Sequence, residues 1–114
     1  MKAGKATTTS NKAATHDTTM PLLDSMYSEF KDLSKKKPDT AVSKSKINIA
    51  NRLLARVRTI LNDEESIDFL DLLDEDDVPQ VSDVTLILSQ YVAAMEAFHK
   101  KYHGWDGSEY RWFT

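Results

Sequence analysis

Any chemistry in this 114-residue chain has to come from few residues, because it has no cysteine and only three histidines, His16, His99 and His103. The spacing Glu96-x-x-His99-x-x-x-His103 places three potential ligands on one helical face, the geometry a transition metal needs. An E-x-x-H step also occurs in di-iron carboxylate bundles, but those require a second such motif and further glutamates, and this chain has one copy. The simpler reading is a polar helix face whose last-turn histidines suit the negative end of the dipole. No metal or other cofactor is expected.

The run Asp74-Glu75-Asp76-Asp77 raises calcium, yet neither the central glycine nor the closing glutamate of an EF-hand loop follows it. The three glycines stand apart, so there is no phosphate-cradling loop, and no G-x-S-x-G nucleophile elbow is present. Acids are plentiful, but no pair is set in the divergent environments that general acid–base work requires. A non-enzyme is expected.

Two other patterns stand out. Residues 1–62 hold 12 Lys and Arg against 5 Asp and Glu, whereas residues 63–114 hold 3 against 13. Such segregation fits two elements that attract each other inside one fold, or a charged partner. The basic candidates for phosphate contact are Lys35, Lys36, Lys37, Lys44, Lys46, Arg52 and Arg56, though no helix-turn-helix or other reading motif accompanies them. The acids of residues 63–77 could in turn imitate a nucleic acid. The second pattern is aromatic: Trp105, Tyr110, Trp112 and Phe113 crowd the last ten residues, where a chain is normally polar. These residues either fold back over their own domain or, together with Arg111, anchor a protein partner, for which Trp, Tyr and Arg are preferred.

The elements that position these residues read as helices. The Thr-, Ala- and Lys-rich stretch 1–18 lacks large apolar residues after Met1 and is expected to be a disordered tail, leaving 19–114 as one domain. A first helix is expected over about Pro21–Lys36, from the stripe Leu23, Met26, Phe30 and Leu33, widened by Leu22 and Tyr27. A second runs about Val42–Leu61 on Ile47, Ala50, Leu54, Val57 and Leu61, widened by Leu53 and Ile60. A short third helix, Glu64–Leu73, carries five large apolar residues within seven positions and is expected to be wedged between the others. The fourth runs about Asp83–His103 on Val84, Ile87, Leu88, Tyr91, Met95, Phe98 and Tyr102, capped by Ser82 and ended by Gly104.

The fold class that follows is an all-α bundle of three long helices and one short helix, with an aromatic C-terminal tail. No stretch approaches the roughly 20 apolar residues of a membrane span, and residues 1–18 lack the apolar core of a secretory signal. A cytoplasmic protein is expected. The functional expectation is a non-catalytic protein–protein interaction module, a small helical subunit, adaptor or regulator whose partner is another protein or, in a homodimer, a second copy of itself. The alternative is a nucleic-acid-associated protein using the basic face. No small-molecule substrate is implied.

Overall fold

A computed structural model describes residues 6–114. The described chain is mostly helical: α1 (Ser10–Lys36), α2 (Lys44–Leu61) and α3 (Val81–Tyr102), with two 3-10 turns, Glu65–Phe69 and Glu75–Asp77, between α2 and α3. The chain ends in an antiparallel hairpin, β1 (His103–Trp105) and β2 (Tyr110–Trp112), registered His103 to Trp112 and Trp105 to Tyr110. A 27-residue helix is about 40 Å long. That length makes the molecule a 54 × 23 × 21 Å rod with a radius of gyration of 16.0 Å, above the roughly 13 Å of a compact chain this size.

The core lies where the three helices meet. On α2 the buried residues are Ile47, Ala50, Leu54, Val57, Ile60 and Leu61, and on α3 they include Val84, Leu88, Tyr91, Met95 and Phe98. Both sets follow the three- and four-residue steps of the sequence. The α1–α2 connection is tied to the start of α3 by main-chain bonds, Val42 N–H to Pro79 O at 2.9 Å and Val81 N–H to Thr40 O at 2.9 Å. Asp83 accepts from the Gln80 N–H at 2.9 Å, so α3 begins at Val81, two residues before the expected Asp83, with Gln80 and not the expected Ser82 as its cap.

Three expectations are corrected. First, the tail expected over 1–18 is helical from Ser10 onward, with Thr9 as the cap accepting from Lys12 N–H. Residues 1–5 lie outside the described residues. The reason is tertiary: Ala13, His16 and Thr19 are buried although none is a large apolar residue. Pro21, which suits a helix start, sits inside α1 instead, and its missing N–H is tolerated because this packing offsets the cost of about 3 kcal/mol. Second, the expected third helix is a 3-10 turn followed by extended chain. Ile67, Leu70 and Leu73 turn inward while Phe69 and Leu72 face solvent. Five apolar residues within seven positions cannot all be buried from one side of a segment whose main chain is bonded to side chains of α2 and α3, as described below. Third, Gly104 does not cap α3: it lies in β1, and an added Cβ there would sit 3.4 Å from the Phe113 ring.

A direct consequence concerns residues 1–18. Their removal takes away the Thr9 cap and the buried Ala13 and His16, and we expect urea unfolding to show a loss of about 3 kcal/mol or more. A free-energy change within about 0.5 kcal/mol would mean that α1 starts near Pro21.

Candidate functional site

All three histidines gather at one end of the rod, around Trp112. Its ring lies 5.1 Å from His16, 5.1 Å from His99 and 5.3 Å from His103, each in an edge-on arrangement, and 6.0 Å from Phe98. The indole N–H donates to Asp17 Oδ2 at 3.0 Å. His16 is buried, and its Nε2–H donates to the Met95 carbonyl at 3.0 Å, which leaves Nδ1 without a partner among the described residues. His99 and His103 do share a face, as their spacing predicts, but their rings stack on each other at 4.3 Å. Glu96 is exposed. Among the described residues no group of three His, Cys, Asp or Glu side chains is arranged to hold a metal ion. Burial pushes the His99 imidazole below its usual range, and the neighbouring His103 and His16 add to this while Asp17 opposes it.

This cluster fastens the aromatic tail to its own chain. Phe113 N–H donates to Tyr102 O at 2.7 Å, and Thr8 N–H donates to Phe113 O at 2.8 Å. Trp112 and Phe113 are half-buried; Trp105 and Tyr110 pack ring to ring at 5.3 Å on the exposed side of the hairpin. Arg111 pairs with Asp106 at 3.6 Å. The Asp106 carboxylate accepts from Glu109 N–H, Ser108 N–H and the Ser108 hydroxyl, and the two backbone donors lead in holding its pKa down to about 2.

At the other end, α1 and α2 leave an open groove of about 890 Å³. Its walls are Leu22, Met26, Phe30 and Leu33 of α1 and Ile49 and Leu53 of α2; the cations Lys46, Arg52 and Arg56 and one acid, Glu29, stand along it. Leu22 is 56% exposed and Ile49 49%, so the groove is uncovered. Lys35, Lys36, Lys37 and Lys44 are exposed at the adjoining end of α1 and start of α2. The groove was not anticipated from the sequence. Its signal was the widening of both apolar stripes by Leu22 and Leu53 beyond what one packing partner can cover.

The acidic segment lies elsewhere. Asn51 donates from Nδ2 to Leu73 O at 2.7 Å and accepts at Oδ1 from Leu73 N–H at 2.8 Å. Arg58 donates to Leu70 O. The Tyr91 hydroxyl, whose pKa burial raises, donates to Asp71 O at 2.9 Å. At 100° per residue, Asn51 and Arg58 share one face of α2, nearly opposite Ile49, Leu53 and Arg56. The ion pairs among the described residues are Lys12–Asp63, Lys101–Glu64 and Arg111–Asp106. None joins the basic candidates to residues 68–77, so the internal neutralisation expected from charge segregation is limited to the rim of that acidic stretch. Nor do the 74–77 carboxylates close a cation loop: Asp74 accepts from Asp76 N–H and caps its own turn.

No protein-family model, curated protein or solved structure matches this chain, so its geometry alone supports a functional reading. Among the described residues no helix is long and apolar enough to cross a membrane.

The histidine end makes a pH prediction. Because the folded pKa of His99 is below the usual 6.5, the unfolded chain takes up the proton first as pH falls. The associated stability is complete above about pH 6.5 and is lost as pH drops through the folded value. The hairpin turn does not share this loss, since the Asp106 contribution is complete above 3.8 and is lost only as pH falls from there through about 2. Both tryptophans lie in the hairpin strands, so tryptophan emission should change as pH falls below 6.5, before helical circular dichroism does, and His99→Gln should flatten that change. Simultaneous loss of both signals, unaltered in the variant, would contradict the assignment.

Proposed function

We propose that this chain is a non-catalytic protein-binding module, acting in the cytoplasm, whose groove between α1 and α2 takes an amphipathic segment bearing acidic residues. The observation that carries this is the open apolar groove of about 890 Å³ with Lys46, Arg52 and Arg56 along it and no acid paired to them among the described residues. Recognition of an amphipathic segment needs an apolar channel for its anchor side chains and flanking charges that select the partner's sign. The exposed pair Trp105 and Tyr110 offers a second, smaller contact surface at the far end.

The competing reading is phosphate binding. Lys35, Lys36, Lys37 and Lys44 adjoin the groove with no acid paired to them among the described residues, which favours a nucleic-acid backbone at that end. An apolar channel among those cations has no use for phosphates, so protein binding is preferred.

Fluorescence anisotropy with a labelled helical peptide of Leu and Glu, its Leu and Lys counterpart, and a DNA duplex distinguishes the two. The acidic peptide should bind, the basic one should not, and Ile49→Glu should weaken binding about tenfold, equivalent to about 1.4 kcal/mol. Equal affinity for both peptides, or binding only of DNA at about 50 mM salt with a steep salt dependence, would overturn the proposal.

A further inference from the structure

We infer that the partner that fits the groove is a second copy of this chain, which inserts its own acidic segment and so joins head to tail. The inference rests on the groove being a protein-docking site. The chain from the end of the first 3-10 turn onward carries two outward apolar side chains three residues apart, Phe69 at 77% and Leu72 at 45% exposure. Asp68, Asp71 and Asp74 alternate with them, and none makes an ion pair among the described residues. This is the chemistry the groove calls for: apolar knobs for its walls and carboxylates for Arg52 and Arg56.

The complementary surfaces cannot meet within one molecule. Asn51 and Arg58 hold residues 70–73 by their main chain on the face of α2 nearly opposite the groove. The arrangement therefore offers a donor surface and an acceptor surface on opposite sides of one helix, which produces heterologous association. An isologous dimer, groove against groove, would bring together Lys46, Arg52 and Arg56 of both copies with only Glu29 of each lining to offset them, and this excess of like charge opposes association. Charge thus selects the head-to-tail arrangement over the symmetric one. Screening at high salt should weaken it, because the charges involved are exposed.

The test is sedimentation of the full chain, with two variants. At low salt the mean mass should rise above the 12.9 kDa of one chain as concentration is raised from about 10 μM to 1 mM, and should fall back in about 0.5 M NaCl. Ile49→Glu, which blocks the groove, and Phe69→Lys, which removes the knob, alter exposed residues, so both should keep the helical circular dichroism of the parent. Each alone should remain monomeric. An equimolar mixture should form a species of twice the monomer mass and nothing larger, since each variant keeps one working surface. A parent that stays monomeric while the Leu and Glu peptide binds would overturn self-association and leave the docking reading standing; a monomer that also ignores the peptide would overturn both. Association that survives Phe69→Lys, or a mixture that fails to pair, would overturn the head-to-tail arrangement.

Discussion

The grip of Asn51 on the main chain of Leu73, one bond donated and one accepted, is the contact on which the surface of this molecule depends. With Arg58 on Leu70 O and Tyr91 on Asp71 O, it satisfies the polar groups of an extended segment that no strand or helix would otherwise pair. Asp71 is therefore placed by a contact to its backbone, and its carboxylate makes no ion pair among the described residues. Buried main-chain groups left without partners are costly, whereas exposed ion pairs contribute little, so the former dictate where the segment goes. The separation of basic groove and acidic segment follows from that inequality.

The opposite end of the rod is organised by a different economy. Here a single indole ring is surrounded by every histidine in the chain and by Phe98, and it ties β2 to both α1 and α3. The contact extends α1 toward the N-terminus, because His16 gains a packed environment only if residues 10–19 are helical. The elongated shape, the closed histidine end and the open groove end are consequences of one long helix gripped at both ends by different chemistry.

Much of the scaffold was legible in the sequence. The stripe Ile47, Ala50, Leu54, Val57 and Leu61 is buried as its spacing implies, since a strongly periodic apolar face has one way to hide. The start of α1 was not legible, because Ala13, His16 and Thr19 are weakly apolar and owe their burial to contacts distant in sequence, while Pro21 imitates a helix start. Phe69 and Leu72 misled in the other direction: their hydrophobicity implies burial, but the main chain of residues 70–73 is already committed to Asn51, Arg58 and Tyr91. The candidate metal ligands His99 and His103 were correctly placed on one face; that the face receives an indole ring depends on where the last ten residues fold, which no local pattern specifies. The groove was visible only as an excess of apolar residues flanking two otherwise satisfied stripes.

The claim that main-chain anchoring, and not charge, positions the acidic segment is most directly tested by comparing the unfolding free energies of two variants. Asn51→Ala removes the two bonds to Leu73 and should cost about 2 kcal/mol. Replacing Glu75, Asp76 and Asp77 together by Gln, Asn and Asn removes three charges and should change stability by less than about 0.5 kcal/mol. The reverse ranking, with neutralisation costly and Asn51→Ala nearly silent, would contradict the account.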